Sequence, residues 1–366
     1  MICTASSSTE HGLLAVSKDG DPALDSSQTQ NMASPMKIGT VGIVGAGAWG
    51  TSLAQTVCKA GLEVILWAHE REVVAEINAR HTNGAFLPGV TLDPSIGATA
   101  ALADLGRSGA VLIVAPAQHV RSMAASLASH IPPGVPIVCC AKGIEQATGA
   151  LMGEVLAQAL PGHPLAVLSG PSFASEVARG LPAALTLGCR DEALARSLVE
   201  SLSHRQFRLY ASTDIKGVDL GGAVKNVLAI AAGIVAGKEL GASAHAALVT
   251  RGFAELRRFG LALGARPETL MGLSGLGDLI LTCGSPQSRN MSLGAALGKG
   301  RKLAEVLSER RAVTEGVYTA AAVVKLARER DIEMPISEAV AAIVSGTSGV
   351  DEAIEALMQR PLKVED

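Results

Sequence analysis

The chain has 366 residues, long enough for two domains that each bury their own core. Hydrophobic residues make up 48% of it and aromatics only 2%, so those cores must be built from Ala, Val, Leu and Ile. A formal charge of −3 leaves no electrostatic case for nucleic acid or for an acidic membrane surface.

Unbroken apolar runs such as residues 110–116 are too short to span a bilayer, so no membrane insertion is expected. Cys3, Cys58, Cys139, Cys140, Cys189 and Cys283 form no C-x-x-C pair, and most lie among apolar neighbours. They read as reduced core residues of a cytoplasmic protein. No His, Cys and carboxylate cluster has the spacing of metal ligands, so no metal is expected.

Residues 1–35 stand apart, with polar runs such as Ser6-Ser7-Ser8-Thr9 and Ser26-Ser27-Gln28-Thr29. They read as a disordered leader, or as an over-long start given Met32 and Met36. The leader lacks the basic and then apolar order of a secretory signal.

Residues 40–54 follow as a buried strand, a G-x-G-x-x-G turn (Gly45, Gly47, Gly50) and the first turn of a helix. That order is the context in which the motif means dinucleotide binding. Gly45 permits the tight turn, Gly47 lets backbone approach a pyrophosphate, and Gly50 lets the helix close on the strand. Further strands are expected at 63–68, 110–116, 136–141, 165–170, 183–188 and 207–210, with a short βα region before the second of these. Helical patterns fall between, for instance at 120–129 and 151–160. This alternation predicts an α/β fold, a Rossmann-type doubly wound and mainly parallel sheet.

Beyond residue 221 strand patterns vanish, and helices are expected at 223–236, 242–264, 292–298, 317–330 and 337–345. We therefore expect a dinucleotide-binding domain over residues 36–218 and an all-α C-terminal substrate domain over 219–366, joined near 214–220. Ligands of open α/β sheets sit beyond the carboxyl ends of the strands, which places the site in the cleft against the helices.

An acidic residue after the second strand usually grips the cofactor ribose. Here the strand ends in His69-Glu70-Arg71: Glu70 would favour NAD, whereas His69 and Arg71 would suit the 2′-phosphate of NADP. The residues leave that choice open.

Several segments combine small residues with a charge. Lys142 follows a buried strand directly, at the carboxyl end where substrate should lie. Lys225 is embedded in an Ala-rich helix start, where partial desolvation would lower its pKa toward a useful range. Asp278 stands alone in an apolar run and needs a paired charge, for which Lys225 is the natural candidate; a first-turn helix acid is the plainer alternative. Arg289 with Asn290 offers a planar fork plus an amide, suited to phosphate or carboxylate.

Together these segments resemble the bacterial NAD(P)-dependent glycerol-3-phosphate dehydrogenases from about Lys37 almost to the C-terminus. The resemblance is carried by Gly45-Ala46-Gly47-Ala48-Trp49-Gly50-Thr51, Asn83-Gly84-Ala85-Phe86-Leu87-Pro88, Ala141-Lys142-Gly143, Ser169-Gly170-Pro171-Ser172-Phe173-Ala174 and Leu220-Gly221-Gly222-Ala223-Val224-Lys225-Asn226. Thr250-Arg251-Gly252, Gly275-Leu276-Gly277-Asp278-Leu279, Thr282-Cys283, Ser288-Arg289-Asn290 and Glu315-Gly316 continue it in the family's order.

The resemblance implies reversible reduction of dihydroxyacetone phosphate to sn-glycerol 3-phosphate for phospholipid synthesis, with NAD or NADP as cofactor, in a cytoplasmic homodimer. It makes Lys225 the proton donor and acceptor. Substrate contacts fall on Lys142, Gly170, Ser172, Asp278, Ser288, Arg289 and Asn290. Cofactor contacts fall on Ala48, Trp49, His69, Lys142, Ala174, Arg289, Val313 and Glu315, beside the glycines. Ala48 stands where the family often has serine and Trp49 where it has tyrosine or phenylalanine, so neither position carries a hydroxyl here. Two competing readings remain: a related dehydrogenase such as a 3-hydroxyacid dehydrogenase or ketopantoate reductase, and a non-catalytic nucleotide sensor. The first would need a carboxylate anchor, and the second would be expected to have lost the lysines or the Ser-Arg-Asn segment.

Overall fold

The apolar runs become strands: β1 (Thr40–Val44), β2 (Glu63–Trp67), β3 (Gly97–Thr99), β4 (Ala110–Ile113), β5 (Ile137–Cys139), β6 (Leu165–Ser169), β7 (Ala183–Cys189) and β8 (Phe207–Ser212), of which β4 and β5 are buried throughout while β3 and β8 are partly exposed. They form one sheet in the order β3-β2-β1-β4-β5-β6-β7-β8, parallel throughout except where β6 meets β7 with Ser169 opposite Thr186. The structure, a computed structural model, describes residues 38–310 and 313–361, so the expected leader lies outside the described residues. The described residues make one compact unit.

Helices α1 (Ala48–Lys59), α2 (Arg71–Arg80), α3 (Val120–Leu127), α4 (Met152–Ala159), α5 (Ala174–Ala178) and α6 (Glu192–Leu202) connect the strands. Alternate strand residues face two separate cores. Val41, Ile43 and Leu112 pack with Leu53 of α1 on one side, and Val44, Val111 and Ile113 pack with Leu127 and Leu156 of α3 and α4 on the other. Apolar contact on both faces is why these strands read as continuous hydrophobic runs.

The chain runs outward from β1 through β2 and β3, then returns to place β4 on the other flank of β1. That reversal is a topological switch point, where the loops beyond neighbouring carboxyl ends diverge and leave a crevice. Gly45 follows β1, residues 114–117 follow β4, Lys142 follows β5 shortly after, and Gly170 follows β6.

The C-terminal part is helical: α7 (Ile215–Gly237), α8 (Ala242–Ala262), α9 (Pro267–Met271), α10 (Asp278–Gly284), α11 (Arg289–Gly298), α12 (Leu303–Ser308), α13 (Glu315–Arg328), α14 (Pro335–Ser345) and α15 (Val350–Met358). Their core gathers Val224, Leu228, Phe259, Leu270, Leu293, Val323 and Met334.

Helix α7 corrects two expectations. Residues 215–220 are not a connector but its opening turns, capped by the Asp214 carboxylate, which accepts from Gly217 N at 2.9 Å. Glycines of this helix are packing sites: a Cβ on Gly221 would stand 2.5 Å from the Ser274 carbonyl oxygen. Lys225 therefore lies near the middle of the helix. Although no unbroken apolar run is long, the 23 residues of α7 are long and apolar enough by composition to cross a bilayer. Every residue from Gly217 to Val235 is buried by other parts of the protein, as befits a core helix. The five cysteines within the described residues are unpaired thiols, four of them buried.

Candidate active site

Asp278 is the centre of the site. It opens α10, and its helix follows directly on a π-helical turn at Leu273–Gly277, a local widening often found where a helix must present a functional group. The carboxylate is 1% exposed and faces two cations. Lys225 Nζ donates to Asp278 Oδ1 at 2.6 Å, and Lys142 Nζ donates to Oδ2 at 2.6 Å. The expected pair is thus a triad, with one carboxylate shared by two ammonium groups.

Each lysine is held by one further acceptor. Lys225 Nζ donates to Thr282 Oγ1 at 2.8 Å, and Lys142 Nζ donates to the Gly170 carbonyl at 3.0 Å. Thr282 Oγ1 lies 3.2 Å from Asp278 Oδ1, one turn along α10. An ammonium has three protons, so one proton on each lysine is left over. Ser172 Oγ also donates to the Gly170 carbonyl, at 3.1 Å, which brings Gly170 and Ser172 beside Lys142. Gly222 makes room for this arrangement: a Cβ there would stand 2.5 Å from Ser169 Oγ and 3.3 Å from Lys142 Cγ.

Burial pushes the Lys225 ammonium down to about 8, against the opposing pull of Asp278. For Asp278 burial alone would raise the pKa, but Lys142 and Lys225 outweigh it and hold the carboxyl below the usual carboxylate range. The site therefore holds a fixed anion between two cations, one of them poised close to neutrality.

A second layer ties three helices together behind the site. Asn290 Nδ2 donates to Asn226 Oδ1 at 2.9 Å, and Asn290 Oδ1 accepts from Gly316 N at 2.9 Å. Arg289 and Asn290, expected to act as one clamp, are in different surroundings: Arg289 is exposed at the start of α11, while Asn290 is buried in this ladder. Ser288 is the N-cap of α11 and accepts from Met291 N at 3.2 Å. Asn226 and Thr282 carried no role in the sequence reading. The i,i+4 spacing of Asp278 and Thr282 was a usable signal for the threonine, whereas nothing local pointed to Asn226.

On the dinucleotide side, Gly45 has φ +111°, and its carbonyl oxygen lies where a Cβ on Gly50 would stand, 1.7 Å away. No atom lies within 4 Å of a Cβ position on Gly47, so the loop has an open face there. Ala48 and Trp49 are the first residues of α1, whose N-cap Gly47 supplies no side chain, so the first N–H groups of the helix are free of a side-chain cap. The buried Trp49 Nε1 has no partner among the described residues. An uncapped helix N-terminus behind an open glycine loop fits a pyrophosphate.

His69 is exposed just past β2, with its ring 6.3 Å from that of Trp67. Ala174 opens α5 and is half-buried; Val313 is half-buried just before α13. Glu315 opens α13 and accepts from Ala117 N at 3.0 Å, joining the loop after β4 to the helical part. Burial raises the pKa of Glu315 against the pull of that hydrogen bond and of Arg289, and its second oxygen is buried with no partner among the described residues.

Comparison with known proteins bears on the family and the fold. The model for the N-terminus of NAD-dependent glycerol-3-phosphate dehydrogenase matches residues 40–195, and the model for its C-terminus matches residues 214–355. The chain belongs to this family. Among glycerol-3-phosphate dehydrogenases [NAD(P)+], that of Parvibaculum lavamentivorans is 60% identical over 325 residues, covering 89% of this chain and 98% of its own. That of Caulobacter vibrioides is 58% identical with the same coverage. The crystal structure of glycerol-3-phosphate dehydrogenase from Coxiella burnetii has a TM-score of 0.84 at 37% identity, over 88% of this chain and 99% of that one. A ketopantoate reductase from Ralstonia eutropha JMP134 shares the fold alone, with a TM-score of 0.54 at 15% identity over 86% of this chain and 99% of its own.

Proposed function

We propose that this chain interconverts dihydroxyacetone phosphate and sn-glycerol 3-phosphate with NAD(H) or NADP(H), supplying glycerol 3-phosphate for phospholipid synthesis. The observation that carries the reading is the shared carboxylate of Asp278, which binds Lys225 and Lys142 at 2.6 Å each beside the carboxyl ends of the strands. The family membership supports the substrate.

When bound, the nicotinamide supplies hydride for reduction and accepts it in oxidation. Lys225 donates the proton from Nζ to the substrate oxygen in reduction and takes it back in oxidation. Two of its protons are engaged by Asp278 and Thr282, which leaves the third for the substrate. A group poised near 8 can do both, because neither protonation state is strongly disfavoured at working pH. Lys142, the second donor to Asp278, lies beside the same oxygen, where negative charge develops in reduction. Asp278 stays ionised and fixes both ammonium groups.

Arg289 holds the substrate phosphate, with Ser288 and Asn290 fixing the helix start that presents it. Gly170 and Ser172 line the substrate site. Gly45, Gly47, Ala48, Trp49 and Gly50 hold the dinucleotide, with His69, Ala174, Val313, Glu315, Lys142 and Arg289 as further contacts. We divide the chain at residues 218 and 219, within the opening turns of α7, the helix that follows the last strand, and place the enzyme in the cytoplasm as a homodimer. Unpaired thiols support the compartment, and the family resemblance supports the dimer, which sedimentation would test.

The deciding experiment follows nicotinamide absorbance with dihydroxyacetone phosphate, separately with NADH and NADPH. Oxidation of either dinucleotide is expected, and their ratio gives the cofactor preference. Activity with neither overturns the reading.

A further inference from the structure

The segment Asn83-Gly84-Ala85-Phe86-Leu87-Pro88 has no part in the chemistry described so far, yet Asn83 is fully buried and reaches the glycine loop. Its Nδ2 donates to the Ala46 carbonyl oxygen at 2.8 Å and to Thr51 Oγ1 at 2.8 Å. Thr51 Oγ1 in turn donates to the same carbonyl at 3.1 Å. The three groups close a ring in which both amide protons and the hydroxyl proton are used. Asn83 is itself fixed at its other end, where Oδ1 accepts from Phe86 N at 3.3 Å and its carbonyl accepts from Leu87 N at 2.8 Å. Glu76 Oε1 braces the same turn by accepting from Thr82 Oγ1 and Gly84 N, each at 2.8 Å.

Ala46 lies between the first two glycines of the motif. A trans peptide is planar, with its C=O and N–H pointing in opposite directions. Pulling the Ala46 carbonyl toward Asn83 and Thr51 therefore turns the Gly47 N–H away from them. It also keeps a carbonyl dipole from facing an incoming anion. A flip of this peptide would present an oxygen where a pyrophosphate needs a donor. Gly47, with no Cβ to hinder it, would otherwise permit such a flip.

We propose that Asn83 is a positioning residue for dinucleotide binding, which with Thr51 locks the Ala46–Gly47 peptide in its anion-binding orientation. The proposal rests on the dinucleotide reading given above and adds a residue distant in sequence from the glycine motif.

The test titrates the full-length chain and its Asn83→Asp and Thr51→Val variants with NADPH and NADH, following quenching of protein fluorescence, with thermal melting as a check of folding. Asn83→Asp keeps shape and the acceptor for Phe86 N but turns the donor facing Ala46 into an acceptor. It should raise Kd for both dinucleotides by about tenfold or more, the scale of one buried hydrogen bond replaced by an unsatisfied pair. At saturating dinucleotide, kcat and the KM for dihydroxyacetone phosphate should stay within about twofold, a split that general loosening would not give. Thr51→Val should raise Kd by a smaller factor, about threefold, and decides the matter if Asn83→Asp does not fold. A folded variant with unchanged Kd, or a loss that falls equally on kcat and the substrate KM, overturns the proposal. Absence of dinucleotide binding by the unaltered chain would instead overturn the functional reading beneath it.

Discussion

Lys225 Nζ and Asp278 Oδ1 lie 2.6 Å apart although 53 residues separate them in the chain. The contact joins the middle of the central helix to the start of a short one, and Lys142 closes it from the sheet side. Three charges in a buried site make the arrangement sensitive to loss of any partner, because the remaining charge is left uncompensated.

Replacing Lys225 by alanine removes the proton donor while leaving Asp278 paired with Lys142. Turnover of dihydroxyacetone phosphate should fall by roughly 10²–10⁴, the scale of lost general-acid catalysis. Steady-state kinetics on the folded variant checks this, and near-normal turnover would refute the role of Lys225.

The pH profile follows from the value of about 8 for Lys225. Reduction needs the ammonium, so kcat/KM for the ketone should be level below about pH 8 and decline above it. Oxidation needs the free amine, so its rate should climb through the same region. Asp278→Asn removes the charge that favours the ammonium, and both limbs should move to lower pH, even as activity drops.

Arg289→Ala should act mainly on substrate binding. A charge-assisted hydrogen bond to phosphate contributes about 1.5–3 kcal/mol, so KM for dihydroxyacetone phosphate should rise by roughly ten- to a hundredfold. An unchanged KM would show that the phosphate is held elsewhere.

Stability should respond to pH through Asp219, buried in α7 behind the site. Burial pushes its carboxyl up to about 7, against the hydrogen bond it accepts from Gly153 N at 2.7 Å. The folded form then keeps a proton that the unfolded chain has already lost above the ordinary carboxylate range. The resulting stability is full below that range and is lost as pH rises through about 7. Asp219→Asn should make the fall in stability between pH 5 and 8 shallower, by no more than about 3 kcal/mol, because only the stretch from pH 5 to about 7 contributes, at about 1.36 kcal/mol per unit. Glu255 adds a parallel decline, since burial raises it to about 7 as well, so the slope should shrink but not vanish. An unaltered slope would exclude Asp219 as a source.

The strands and the glycine loop were legible because each follows from local rules. An unbroken apolar run of five residues can only be a strand covered on both faces or a piece of buried helix, and its length and flanking turns favour the strand. Lys225 and Asp278 were legible as charges out of place among apolar residues, and Lys142 from its place directly after a buried strand. The start of α7 was not, since glycines at 217, 221 and 222 mimic a loop until their close packing partners are known. Arg289 and Asn290 are adjacent in sequence, yet successive helix positions point about 100° apart, so one is exposed and the other buried.

By itself, then, the sequence determined the sheet, its cofactor loop and the identity of the charged groups, all of which depend on near neighbours along the chain. Only the tertiary structure decided that one carboxylate serves two lysines, that Thr282 and Asn226 join the site, and that Asn83 turns the peptide at Ala46. Those relationships are distances between elements far apart in sequence, fixed by how glycine-lined helices pack on the sheet.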